Sequence, residues 1–166
     1  VAGAFDFVDG NFAKKKFLMT TSANFELYHK DFYAWINSQI DLLRQNRVQE
    51  LDRDLLVEEL EDMGKRHQSE LVSRLIVLIA HLLKWQYQPE HRSSSWRGSI
   101  IEQRVQIRRG IRSSPSLKPF FAEAIIDAYP DALHIACKET KIKSSVFPEA
   151  CPYQEQELLD EDFWPG

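Results

Sequence analysis

The sequence predicts an all-α fold, an antiparallel up-and-down bundle of about five helices followed by an irregular C-terminal tail. From about Asn24 onward, apolar residues recur at three- and four-residue spacing, and no alternating strand pattern of useful length interrupts them. The composition is that of a globular chain: 166 residues, 43% hydrophobic and 11% aromatic, with six glycines, enough for one buried core. Pro and Ser clusters punctuate the chain where helices should end.

Taken in order, the first helix is expected from about Asn24 to Gln45, with Asn24 as N-cap. Its stripe is Phe25, Tyr28, Phe32, Trp35, Ile36, Ile40 and Leu43. The second covers about Glu50 to Met63, and Gly64 either caps it or softens a join to the next. The third, about Arg66 to Tyr87, has the widest apolar face and belongs at the bundle centre. "QPEHRSSS" breaks the chain at Pro89 and offers Ser95 as the cap of a fourth helix, which runs to about Arg112 and ends at "SSPS". The fifth begins near Ser116 and meets Pro130, which kinks it or opens a sixth helix. In the Pro-punctuated tail one helical turn is expected at Gln154–Leu159.

Residues 1–22 read as a leader or extension, and 23–166 as a single domain. Asp6 and Asp9 interrupt the apolar part of this leader, and Lys14, Lys15 and Lys16 follow it, unlike a secretory signal. Met19 before Thr20-Thr21-Ser22 is an alternative start. No apolar run reaches the roughly 18 residues of a membrane span. The net charge of −4 opposes bulk attraction to nucleic acid or an anionic membrane. Cys137 and Cys151 form neither a disulfide framework nor a zinc pattern, so a reducing cytoplasm is the expected compartment.

The densest chemistry is "VEELEDMG", residues 57–64. On a wheel of about 100° per residue, Leu56, Leu60 and Met63 form the apolar stripe, and Glu58, Glu61 and Asp62 fall on solvated sides. Glu59 projects between Leu55, Leu56 and Met63, with Asp52 on the same line two turns earlier. A buried carboxylate needs a partner. Arg97, Arg104 and Arg108 line one edge of the fourth helix, and Arg97 or Arg104 is the expected cation for Glu59. Intrachain pairing of this row with the acidic second helix is favoured over capture of an outside anion. His81, at the margin of the third helix, completes the candidate polar cluster Glu59, His81, Arg97 and Arg104. Its plainer role is a hydrogen-bonded histidine at the edge of the core.

Lys84, Trp85, Arg92, Trp96 and Arg108 form a candidate basic and aromatic face on which bases could stack. The plainer reading is a tryptophan-anchored helix corner rimmed by cations. The acidic run Glu155 to Asp162, with Phe163 and Trp164, is either a partner-docking peptide or a strap onto the bundle. Di-metal carboxylate bundles use two Glu-x-x-His motifs on facing helices, and this sequence does not supply two. His67-x-x-Glu70 and His134-x-x-Cys137 supply two ligands each, too few for a metal site, and no cofactor is expected. No phosphate-cradling glycine loop and no nucleophile elbow is present.

The segments "LYHKDFYAWINSQIDLLRQNRVQELDRDLLVEELEDMGKR", "LIVLIAHLLKWQYQPEHRSSSWRGSIIEQR", "SPSLKPFF" and "FPEACPYQEQELLDEDFWP" together resemble the bacterial family called domain of unknown function 29. The likeness covers about Asn24 to Pro165. Its hallmarks are Tyr33-Ala34-Trp35, Leu56 to Gly64, His81 to Trp85 and Ser95-Trp96-Arg97. The resemblance implies an all-helical bundle, common in cyanobacteria, without an assigned activity, and carries over no catalytic residue. The leading expectation is therefore an interaction or regulatory module with an unidentified protein partner. The alternatives are an enzyme or anionic-ligand or metal-binding protein using the polar cluster, and nucleic-acid binding through the Lys84–Arg112 face.

Overall fold

The computed structural model describes residues 25–166. The expected cap Asn24 and the leader over residues 1–22 lie outside them. Residues 25–30 are helical, and the chain then breaks at Asp31. The Asp31 side chain accepts from the Ala34 amide at 2.9 Å and so starts α1 (Phe32–Arg44). One continuous helix from Asn24 to Gln45 is thus not formed. Asp31 satisfies an amide that a continuing helix would have satisfied itself. Asn46, at φ 58, takes the left-handed conformation that ends α1.

A 3₁₀ turn at Val48–Glu50 leads into α2 (Arg53–Tyr87), 35 residues without interruption. The expected second and third helices are therefore one, and Gly64 neither caps nor separates them. A helical glycine costs only about 1 kcal/mol relative to alanine. The pairs Lys65–Asp62 at 3.0 Å and Arg74–Glu70 at 2.7 Å stabilise the same stretch along the helix surface. Residues 63–70 are all exposed. Leu60 and Met63, expected on a buried stripe, are also exposed, because the covered arc is that of Asp52, Leu55, Leu56 and Glu59.

Ser93 rather than Ser95 caps α3 (Ser94–Ser113), accepting from the Trp96 amide at 3.3 Å. A 3₁₀ segment at Pro115–Phe120 precedes α4 (Phe121–Thr140). Pro130 lies inside α4 and does not divide it. The lost hydrogen bond and ring clash cost about 3 kcal/mol, but Ala128, Tyr129 and Ala132 on either side are buried and hold the helix in place. Lys141, at φ 62, is the left-handed cap of α4. The tail carries a 3₁₀ turn at Ser144–Val146 and α5 (Glu155–Leu159), opened by a capping box between Gln154 and Glu157.

The architecture is an all-α helical bundle, with no strand among the described residues. The chain divides into two compact units, Val1–Glu61 and Asp62–Gly166, and α2 passes from one to the other. In the first, Trp35 and Gln39 are the buried residues among those described. In the second, the core joins Leu75, Leu78, Ile79, Leu82 and Leu83 of α2 to Ile100 and Ile107 of α3. Ala124, Ala128, Ala132 and Ala136 add a fully buried row on α4, whose four-residue spacing makes a shallow ridge for close helix packing. Phe147, Tyr153 and Leu158 of the tail complete this core. No helix among the described residues is long and apolar enough to cross a membrane.

Candidate functional site

In the first unit, Trp35 stands edge-on to Tyr28 with ring centroids 5.0 Å apart and stacks on Phe32 at 5.7 Å. Its indole Nε1 donates to Asp52 Oδ2 at 3.2 Å. Gln39, fully buried, accepts from the Asp52 amide at 2.9 Å and so holds the start of α2. The Tyr28 hydroxyl donates to Glu59 Oε1 at 2.6 Å. Asp52 and Glu59 do share one face, two turns apart, as the helical wheel predicts. Among the described residues, the groups that donate to them there are aromatic: Tyr28 to the half-buried Glu59 and Trp35 to Asp52.

In the second unit, the arginine row of α3 meets the C-terminal tail. Arg104 is fully buried. Its Nε donates to the Leu158 carbonyl at 3.1 Å, and its Nη2 to the carbonyls of Glu157 at 3.2 Å and Phe163 at 2.8 Å. Nη1 is buried without a hydrogen-bond partner among the described residues. Burial pulls the guanidinium pKa below its ordinary value. The guanidinium also lies over the Trp164 ring at 5.5 Å, where Arg97 stacks at 5.4 Å. Arg108 donates to the Leu159 carbonyl at 3.2 Å and pairs with Glu161.

The row is thus engaged within the chain by residues 157–164, mostly through backbone carbonyls, where pairing with the acidic second helix was expected. A segment with little regular structure has unpaired carbonyls to offer, and a guanidinium fork can satisfy several at once.

The aromatic face has the same destination. Trp85 packs against Trp164 with centroids 4.8 Å apart. Arg92 lies over Trp85 at 5.1 Å and donates to the Trp85 carbonyl at 2.9 Å. It also reaches the Pro165 carbonyl at 3.4 Å. Lys84 is buried, pairs with Glu139 of α4 and sits over Trp96 at 4.5 Å. Trp85 and Trp96 therefore anchor a helix corner and a strapped tail.

His81 bonds through Nδ1 to the Val77 carbonyl of its own helix at 2.8 Å, leaving Nε2 as the unprotonated nitrogen of the neutral ring. Burial is the main cause that lowers its pKa, with the Lys84 charge adding and Glu139 opposing.

A partly open cleft of about 300 Å³ lies between α2 and the C-terminal end of α3. Leu71 and Ile107, both buried, form its floor with the half-buried Ile111 and Leu117. Arg74, Arg109 and His67 contribute basic groups to its lining, and Glu70 a carboxylate. Glu70 Oε1 fixes Arg74 by accepting from Nε at 3.1 Å and Nη2 at 2.7 Å. Among the described residues no group of three His, Cys, Asp or Glu is placed to hold a metal ion.

The chain matches the family model described as domain of unknown function DUF29 over residues 27–164, most of its length. It belongs to the DUF29 family. No curated protein and no solved structure matches it.

In this DUF29 chain the candidate cluster is distributed by its contacts. Glu59 bonds Tyr28, His81 bonds Val77, and Arg97 and Arg104 hold the tail. Sequence reasoning missed Gln39, Glu139 and the cleft around Arg74 and Arg109. Gln39 carries no signal beyond its place on the Trp35 face of α1. Arg74 lies seven residues before His81 on the same helix edge and carries no further signal. The cleft also depends on α3 approaching α2, which no local pattern records.

Proposed function

We propose that this chain is a protein-interaction module whose residues 25–61 dock an apolar, basic-edged helix of a partner protein. The observation that carries this is that the described residues 25–61 bury two side chains and expose many large apolar ones. Trp35 and Gln39 are buried in that stretch, whereas Tyr33, Leu60 and Val57 are 77%, 64% and 54% exposed. Phe25, Phe32 and Leu43 are exposed as well. Apolar side chains exposed in such number gain from being covered.

Val57 and Leu60 lie about one helical turn apart on α2, among the exposed carboxylates Asp54, Glu58 and Glu61. Carboxylates also outnumber Lys and Arg across residues 25–61. A partner stripe edged with Lys or Arg is the complement of that surface. A cytoplasmic setting fits the two free thiols, Cys137 and Cys151. The Arg97–Arg104–Arg108 row has no part in this reading, because each of its guanidinium groups packs on or bonds to the tail.

The test is affinity capture from the source cells with three tagged proteins: wild type, the Tyr33→Ser/Leu60→Ser pair, and Ile126→Ser as a control at an exposed apolar residue of α4. Circular dichroism verifies that each is folded. The proposal expects proteins retained by wild type and Ile126→Ser but lost from the pair. Identical retention by all three overturns it.

A further inference from the structure

The cleft between α2 and α3 belongs to the second unit and is independent of the docking surface. Its volume, about 300 Å³, is at the lower end of the range of small-molecule pockets. Its floor is apolar: Leu71 and Ile107 are buried, and Ile111 is half-buried. Its rim has the opposite character. Arg74 comes from α2 and Arg109 from α3, with His67 beside them, and Glu70 supplies a single carboxylate.

The rim is therefore cationic in a chain whose net charge is −4. Glu70 grips Arg74 from the same helix and restricts its orientation, so less freedom is lost when the fork meets a ligand. Arg109 is exposed and adds a second guanidinium. An apolar floor under two guanidinium groups matches an amphiphilic anion. The floor takes a hydrocarbon body, and the Arg109 fork with Arg74 Nη1, which Glu70 does not use, takes a planar carboxylate. His67 and Glu70 alone provide too few ligands for a metal ion.

We infer that this cleft binds a small organic carboxylate, its apolar body on Leu71, Ile107 and Ile111 and its headgroup on the Arg74–Arg109 rim. Methyl-labelled full-length protein titrated with octanoate, octanol and inorganic phosphate, followed by NMR, tests this. Octanoate shifts the Leu71, Ile107 and Ile111 methyls and binds about tenfold more tightly than octanol, the difference reporting the headgroup contact. Phosphate, lacking a body, binds more weakly than octanoate. Arg109→Gln, at an exposed position, weakens octanoate about tenfold and leaves octanol unchanged.

Equal binding of octanoate and octanol overturns the inference, as does an unchanged octanoate affinity in Arg109→Gln. Phosphate binding as tightly as octanoate removes the apolar body from the assignment. Methyl shifts confined to other parts of the chain remove the cleft itself. The octanoate and octanol comparison on wild type requires no variant, and it reports on the cleft whether or not residues 25–61 dock a partner.

Discussion

Replacing Arg104 with methionine keeps an apolar stem in the core and removes the three hydrogen bonds that Arg104 donates to the tail. Three carbonyls lose their partner: Leu158 in a buried bond, and Glu157 and Phe163 in partly buried ones. Hydrogen bonds to a charged group contribute about 1.5–3 kcal/mol each, so three would total about 5–9 kcal/mol. Two effects reduce this. The partly buried carbonyls can recover water, and the variant no longer desolvates a cation whose Nη1 lacks a partner. A net loss of about 2–4 kcal/mol remains, a large share of the 5–15 kcal/mol of a typical domain.

Urea unfolding followed by far-ultraviolet circular dichroism at 25 °C measures this loss as a lower midpoint at similar slope. Arg104→Lys keeps the charge without the fork and should fall between wild type and methionine. An Arg104→Met midpoint equal to or above that of wild type would refute the reasoning. It would mean that the guanidinium is strained in place and does not secure the tail.

The remaining predictions concern the other titratable groups. Glu139→Gln strips the counter-charge from the buried Lys84 and should cost about 1–2 kcal/mol, discounted because Glu139 is half-exposed. In a Lys84→Met background the same change should cost almost nothing, and a double-mutant cycle in urea reads the difference. Tyr28→Phe should cost about 1 kcal/mol, the scale of one half-buried hydrogen bond, read as a lower urea midpoint. His81 is held below its ordinary pKa of 6.5 mainly by burial, so near that pH the unfolded chain binds more protons than the folded one. Stability should therefore fall as pH drops below about 6.5 and level off below the folded pKa. His81→Gln should flatten that slope in melting temperatures recorded from pH 7.5 to 5.

Helical periodicity made the all-α class legible, because amphipathic stripes are a local property of the chain. Boundaries were less legible. Asp31, Ser93 and Ser95 are all competent caps, and the choice among them rests on packing that spacing alone does not describe. Gly64 looked like a punctuation mark, yet a single glycine among good helix formers costs too little to end α2. Pro130 costs more and is still outweighed by its buried neighbours.

The inward direction of Glu59 and Asp52 was readable on the wheel, as was the common edge of Arg97, Arg104 and Arg108. Their partners were not. The tail carbonyls lie more than 50 positions from Arg104, and a backbone acceptor has no residue signature. Coulombic intuition pairs carboxylates with arginines. Here Tyr28 and Trp35 meet Glu59 and Asp52, and the arginines satisfy loop carbonyls.

We propose that a partner binds at the exposed apolar side chains of residues 25–61. Photo-crosslinking tests it directly, with p-benzoylphenylalanine placed at position 60 and, as control, at position 126. The account predicts a discrete crosslinked protein from position 60 and none from 126, the attached peptide carrying an apolar stripe bordered by Lys or Arg. Crosslinks from position 126 alone, or equally from both positions, would contradict it.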